Sequence, residues 1–466
     1  MTKCTQRSFG FQGVERRGVT ARFDAPAITS DAGGLLLREL ESKLGLLEVF
    51  SQCFSDLRDP RYTIHSLQEL LAQRIYGIAL GYEDLNDHEQ LRHDPLMALL
   101  AGKHDPAPSE GFALAGKSTL NRLELTAQRP TKYKKIVANH RRLEDFFVDA
   151  FLRIESRKAP PKRIVLDLDA TDDPLHGHQL GRFFHGYYKC YCYLPLYIFC
   201  GSHLLCAKLR PSNIDASAGS VKQLAQIVSQ IRAKWPKVKI VIRGDSGFCR
   251  ENIMAWCEAN RVDYVLGLAK NSRLSRILGK ELHQAKEQFE ATGQAARVYK
   301  DFQYRTKKSW SRQRRVVGKA EHLAKGSNPR FVVTSLSSNK FDAANTYEKQ
   351  YCARGDMENR IKEQQLYLFA DRTSASTMRA NQLRLWLSSV AYVLLNALRE
   401  LGLQGTELER AQCHTIRTKL LKIGAAIRVT VRKVWVSMSS SYPFMETFNR
   451  VFNTLQALPL LRPPPT

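Results

Sequence analysis

Three acidic positions stand out by residue type and setting. Asp169 closes the apolar run Ile164-Val-Leu-Asp-Leu-Asp169, with Asp167, Asp172 and Asp173 close by. Asp245 follows a second apolar run, Val238-Lys-Ile-Val-Ile-Arg243, inside the small-residue block Gly244-Asp-Ser-Gly-Phe248. Glu358 lies on a later segment, 345–368, that reads as a helix. Carboxylates at the ends of strands in one sheet repel one another, and a divalent cation explains why they would be gathered. Mg²⁺ or Mn²⁺ takes hard oxygen ligands and keeps positions open for water and phosphate. Each Asp taken alone reads as a turn or helix-cap residue, so the case rests on the set.

The helical segment adds cations and an aromatic to that chemistry. At roughly 100° per residue, Tyr351, Arg354, Glu358, Lys362 and Gln365 fall within about 80° of arc. Met357, Ile361 and Leu368 occupy the neighbouring face and would pack on a sheet. One stripe therefore presents a carboxylate flanked by cations and a phenol, although Glu–Lys pairs four apart also occur on ordinary helix surfaces.

Three other patterns carry less. Gly111-Phe-Ala-Leu-Ala-Gly-Lys-Ser118 matches the phosphate-loop motif letter for letter. That motif works only between a buried strand and a helix N-terminus. The preceding residues 104–110 include Pro106 and Pro108, which a central strand does not accept. The spacing favours a loop and a helix start capped by Ser118 or Thr119. Cys190, Cys192, Cys200 and Cys206 match no zinc-finger spacing and read as core residues. His176, His178 and His185 read as parts of a polar loop near the acidic group.

The elements that must position these residues follow from periodicity. Segments 31–50, 63–81 and 131–157 repeat their apolar residues at helical spacing, so residues 1–160 read as a helical domain that ends at Pro160-Pro161. Strand signals then alternate with helices: strands at 162–169, within 186–209, at 238–243 and 264–268, and helices at 216–235, 251–260 and 274–291. This is a mixed α/β pattern. Strands at 298–305 and 315–321 read as a small β insertion, and Phe331–Ser335 returns to a core strand. An apolar helix at 375–400 and a basic tail with a β-branched run at 427–436 complete the chain.

The charge is unevenly placed. The 466 residues carry 71 Lys and Arg against 45 Asp and Glu, a net of +26. Residues 1–160 hold 23 bases and 21 acids, while 161–466 hold 48 and 24. Residues 297–330 have 11 bases and two acids, and residues 410–445 have seven bases and no acid. Such runs point to a polyanion, with nucleic acid the default. With 43% hydrophobic residues a wholly disordered chain is excluded. Apolar runs too short for a bilayer, no apolar leader at the start and scattered cysteines give the expectation of a cytoplasmic, nucleoid-associated protein without a membrane partner.

Taken together, Asp169-Ala-Thr171, Arg243-Gly-Asp-Ser-Gly-Phe248 and Tyr351-x2-Arg354-x3-Glu358 resemble the DDE transposases of bacterial insertion sequences. The chain looks most like the IS-thirteen-eighty family, within the group marked by Tyr-x2-Arg-x3-Glu-x6-Lys. Asp31-x-Gly33-Gly-Leu-Leu-Leu-Arg-Glu39 and Leu421-Lys-Ile-Gly-Ala425 extend the similarity over nearly the whole chain. The resemblance implies an RNase H-like catalytic core over 161–400, with a β-strand insertion at 295–330 between Asp245 and Glu358. It implies an N-terminal helical domain (1–160) that binds DNA ends and a mainly helical, basic region (401–466) for DNA contact or dimerisation. Asp169, Asp245 and Glu358 would hold two Mg²⁺ or Mn²⁺ ions for hydrolysis at the element's ends and transfer of the freed 3′-OH to target DNA. Asp167 remains a rival for the first carboxylate.

Tyr351 and Arg354 would hold the phosphate beside the scissile bond. The group's final Lys falls on Gln365 here, which leaves Lys362 to supply a cation. Further DNA contacts are expected from Arg314, Arg315, Lys422, Arg428 and Arg432, with Trp310 the candidate for stacking on an unpaired base. The implied partners are double-stranded DNA with terminal inverted repeats, target DNA and a second copy of the chain on the DNA. The competing classes are a DNA-binding protein without catalysis and a phosphate-loop ATPase acting on DNA.

Overall fold

The computed structural model describes residues 8–103 and 113–460. They divide into two compact units, one of residues 8–47, 58–103, 113–123 and 397–460, the other of residues 48–57 and 124–396. The C-terminal residues thus share a unit with the N-terminal helices, whereas the helix at 140–155 belongs with the sheet.

That second unit is built on a nine-stranded mixed sheet. Its strands are β1 (Arg163–Ala170), β2 (Leu196–Cys200), β3 (His203–Lys208), β4 (Lys239–Gly244), β5 (Asp263–Leu268), β6 (Ala296–Tyr304), β7 (Arg314–Leu323), β8 (Gly326–Ser327) and β9 (Arg330–Thr334). The order is β3-β2-β1-β4-β5-β9-β7-β6, with β8 paired to β7. β1, β4 and β5 run parallel, and β2 and β3 are antiparallel neighbours on one side. The parallel strands have apolar side chains on both faces, as a sheet covered on both sides requires.

The basic β stretch extends the central sheet. β9 pairs antiparallel with β5, then β7 with β9 and β6 with β7, so the central sheet simply continues. Val316 and Ala320 of β7 join the same buried cluster as Leu166 and Ile242.

The helices α1 (His140–Glu155), α2 (Ser220–Lys234), α3 (Glu251–Ala259), α4 (Gly279–Thr292), α5 (Gly355–Leu368) and α6 (Met378–Leu401) complete the framework. Leu224, Ile227 and Ile231 of α2, Phe151 of α1 and Met254 of α3 bury against Leu166, Leu168 and Ile240 on one sheet face. The opposite face, with Val241, Val265, Val317 and Val332, is covered by Tyr347 and Tyr351 from the segment leading into α5.

That segment departs from the single helix expected over 345–368. Thr346–Tyr351 forms wide π turns, Cys352–Arg354 is a 3₁₀ turn, and regular α geometry begins only at Gly355. The wide turns are held from the sheet: Arg243 donates to the Gln350 carbonyl at 2.7 Å, and Arg163 to its side-chain oxygen at 2.8 Å. π turns of this kind recur at functional sites.

The other unit joins the two ends of the sequence. Ala27–Thr29 pairs with Ala425–Val429, which pairs in turn with Val434–Met438. The Ala32 and Gly33 amides donate to the carbonyls of Ile423 and Leu421 at 3.0 and 3.1 Å. A Cβ on Gly33 would lie 2.0 Å from the Leu420 carbonyl oxygen, so only glycine permits this approach. The Asp31-x-Gly33 and Leu421–Ala425 motifs, nearly 400 residues apart in sequence, are therefore two halves of one contact. Ser8–Val14 and Arg17–Arg22 form an exposed hairpin where only helices were expected.

Candidate active site

The parallel strands place the acids. β1 and β4 lie in register, Arg243 opposite Asp167, so Asp169 and Asp245 emerge at the same end of neighbouring strands. Alternation puts Val165, Asp167 and Asp169 on the face opposite Leu166 and Leu168. The turn after β4 explains the small-residue block. Asp245 Oδ1 accepts the Gly247 amide at 2.8 Å, and Phe248 folds back beneath Gly244, where a Cβ would sit 3.1 Å from its own Cβ.

α5 brings Glu358 and Lys362 to the same place. Asp169, Asp245, Arg354, Glu358, Lys362 and Gln365 line one open cleft of about 590 Å³. Its far wall carries His185, Tyr187 and Tyr188. Tyr188 donates to the Ala170 carbonyl at 3.2 Å. His185 ends the strand Phe183–His185, and the two tyrosines lie in the turn after it; His185 was expected near the acids, whereas the Tyr187-Tyr188 pair was not singled out.

Arg354 organises the carboxylates. Its Nη2 donates to Glu358 Oε1 at 2.7 Å, and its Nη1 lies 3.7 Å from Asp169 Oδ2. Burial pushes the Asp169 carboxyl up to about 7, against the pull of Arg354 and with added repulsion from Asp245 and Glu358. Among the described residues no three His, Cys, Asp or Glu side chains are drawn together tightly enough to hold an ion as they stand. The guanidinium stands between two of the three carboxylates. The donor set is hard oxygen throughout, which suits Mg²⁺ or Mn²⁺ once Arg354 turns away.

The rival acids are accounted for. Asp167 is buried and paired bidentate with Arg243, one contact at 2.7 Å, so it has a cation already. Asp173 is buried beside the Thr373 hydroxyl, and burial with the nearby Asp371 drives its carboxyl well above the ordinary value. Asp172 offers its carbonyl to Gln365 Nε2 at 3.2 Å. At the position where the family resemblance expects Lys, Gln365 thus ties α5 to the loop after β1, while Lys362 stays exposed on the cleft wall.

Tyr351 packs over β5 and not in the cleft wall. A Cβ on Gly267 would fall 2.6 Å from its hydroxyl and 3.0 Å from the Ser246 amide. The phenol therefore sits at the base of the turn that carries Asp245.

Several expected DNA contacts are engaged elsewhere. Trp310 does lie in a loop, but it is 4% exposed, with its ring edge-on to Tyr304 at 5.7 Å. It fills the core and offers no face to a base. Arg314 is buried between Glu251 and Glu258, each at 2.7 Å. Arg315 pairs with Asp301 at 2.6 Å and donates to two carbonyls. Lys422 pairs with Asp31 at 2.6 Å over the Tyr82 ring. Arg428 and Arg432 remain exposed on the hairpin of residues 425–438. Arg314 and Lys422 are thus paired with acids distant in sequence, and Arg315 with one in its own run.

The phosphate-loop reading fails on its described part. Residues 104–112 lie outside the described residues, but 113–116 form no strand and the helix begins at Lys117. Glu89 Oε1 accepts the Lys117 amide at 2.8 Å, a carboxylate where a phosphate would have to sit. Ser118 and Thr119 fall inside that helix and not at its cap. The four strand cysteines are unpaired thiols and form no metal group with other described residues.

A family model described as transposase DDE domain group 1 matches residues 11–460. The chain belongs to that family. The match makes the chain a DNA transposase of the DDE type. Among solved structures the chain aligns with a cryo-EM structure of the piggyBac transposase synaptic complex with hairpin DNA. The identity is 9%, the alignment covers 94% of this chain and 87% of that one, and the TM-score is 0.42. No curated protein matches. No described helix is long and apolar enough to cross a membrane.

Proposed function

We propose that this transposase acts on the ends of an insertion sequence of the IS-thirteen-eighty type, with Asp169, Asp245 and Glu358 as its metal-binding triad. The observation that carries the reading is the convergence of three carboxylates, from two parallel strand ends and one helix, on a single open cleft. The strand order β3-β2-β1-β4-β5, with only β2 antiparallel to its neighbours, supports an RNase H-like core.

Mg²⁺ or Mn²⁺ held by the triad would lower the pKa of water and stabilise the leaving 3′ oxygen. The chain's own residues do the rest. Asp245 is fixed by the Gly247 amide, and Asp169 by its strand. Arg354, released from the carboxylates, would bind the adjacent phosphate through charge-assisted hydrogen bonds. Lys362 lies within the cleft to contact the same strand. The partners are DNA with terminal inverted repeats, then target DNA, with two copies of the chain assembled on two ends. The unit that joins the sequence ends, with Arg428 and Arg432 exposed, is the proposed end-contacting part.

The test uses the full chain with a duplex carrying the repeat that flanks its gene. Asp245→Ala and Glu358→Ala should each reduce Mg²⁺-dependent strand nicking to background while end binding persists. Near-parental nicking by either variant would remove that residue from the triad. A gene without flanking inverted repeats would count against the insertion-sequence reading.

A further inference from the structure

A second cleft in the same unit is lined by the first turns of three helices: His140 and Arg141 of α1, Lys222 of α2, and Met378 and Arg379 of α6. Lys208 closes it from the end of β3, and Glu144 of α1 is the one acid in its lining. None of these three helices has an acidic residue in its first turn. Helix N-termini carry partial positive charge, so cations there work against the dipole. Three such ends with cations facing one cavity form an electrostatically unfavourable arrangement that an anion would relieve.

Internal partners do not fully offset this charge. Lys208 pairs with Glu144 at 2.7 Å, and Arg141 with Asp145 at 3.2 Å. Arg379 Nη2 donates to the Ala138 carbonyl at 3.0 Å, but its Nε and the Nε2 of His140 are buried without a hydrogen-bond partner. Lys222 is exposed at the rim. Burial, and then the nearby Arg379 and Lys208, push the His140 imidazole down to about 4.

The location links this cleft to the triad. Lys208 pairs with Leu196, and Leu196 with Ala170, so Lys208 lies in one row of the sheet with the residue after Asp169. β1 and β3 are both antiparallel to β2 and end at the same rim. Two strand spacings amount to about 10 Å. Phosphates of one DNA strand advance about 3.4 Å along the axis, so about three nucleotides span that distance. Asp169 and Lys208 point to opposite faces, so such a strand would cross the rim of the sheet.

We propose that this basic cleft binds a backbone phosphate of the DNA, roughly three nucleotides from the phosphodiester at the carboxylates. The position of that phosphate rests on the function proposed above, while the binding of DNA phosphate at the cleft can be read without catalysis.

The experiment measures equilibrium binding of the full chain to duplexes of its flanking repeat, each with one neutral methylphosphonate, in Ca²⁺ to prevent cleavage. One position within five nucleotides of the nick should weaken parental binding about tenfold, the loss of one charge-assisted contact. Arg379→Ala should show the same loss with unmodified DNA and no further loss with that methylphosphonate. Lys222→Ala, at an exposed position, should give a smaller loss at the same site and flatten the salt dependence. If neither variant is coupled to any methylphosphonate position, the proposal falls. If inorganic phosphate protects the chain thermally through Arg379 and no DNA position is coupled, the cleft holds a free anion and the proposal also falls. Coupling without Mg²⁺-dependent nicking would uphold this site and reject the catalytic reading instead.

Discussion

Asp169→Asn tests the electrostatics of the cleft directly. The carboxyl is moved from an ordinary 3.8 to about 7, chiefly by burial. The folded state therefore holds a proton that the unfolded chain has already lost, and stability falls as pH rises between those two values. The full difference is roughly 4 kcal/mol, of which about 2–3 kcal/mol accrues between pH 5 and 8. The value of about 7 already contains the attraction of Arg354, so no separate allowance for that pair is needed. Asparagine keeps the shape and removes the charge. Urea unfolding in EDTA should find the variant more stable than the parent at pH 8, with the gap shrinking steadily toward pH 5. Other buried acids, such as Asp149 and Asp173, cancel in the comparison. Added Mg²⁺ should narrow the gap at pH 8 by stabilising the parent alone, and nicking by the variant should be lost. A gap that does not change with pH, or a less stable variant at pH 8, would refute the account of Asp169 as a destabilised acid kept for chemistry.

Arg243→Ala leaves Asp167 buried without its cation and frees the Gln350 carbonyl; the expected cost is about 3–5 kcal/mol, read by chemical denaturation. Gly267→Ala puts a methyl 2.6 Å from the Tyr351 hydroxyl and against the Asp245 turn; nicking should fall at least tenfold while end binding persists. Trp310→Ala should lower stability by roughly 3–5 kcal/mol and leave DNA affinity of the folded protein unchanged, as measured by fluorescence anisotropy.

The strand ends were the most legible part of the site. Apolar runs of strand length ending in Asp169 and Asp245 identified both strands and their acids, because a buried parallel strand is written in contiguous residues. The helix of Glu358 was legible as a helix but not as a bent one. Its π turns depend on Arg243 and Arg163, which lie about 100 to 190 residues away. Charge was legible as a sum and not as pairs. Arg314 looks surplus in its own run, and its acids Glu251 and Glu258 sit on α3 some 60 residues earlier. Trp310 misled for the same reason, since a loop residue is buried only by what folds over it. The N-terminal hairpin left a readable trace in the alternation of Ser8-Phe-Gly-Phe-Gln-Gly-Val14, but its turn at Glu15, with φ of 54°, lacks the usual Asn-Gly signal.

The joining of residues 27–33 to residues 420–427 has a consequence for synthesis and for the fate of damaged gene copies. A ribosome completes the sheet unit, through residue 396, before the other unit can close, because that unit waits for a turn and a strand at residues 420–429. A stop codon anywhere between 397 and 420 would release a chain whose catalytic sheet is whole. Its N-terminal helices would lack the strand and turn that complete their unit. Such a product would keep the carboxylates yet lose one of its two folded units, so late truncations should be as damaging to transposition as changes in the cleft itself.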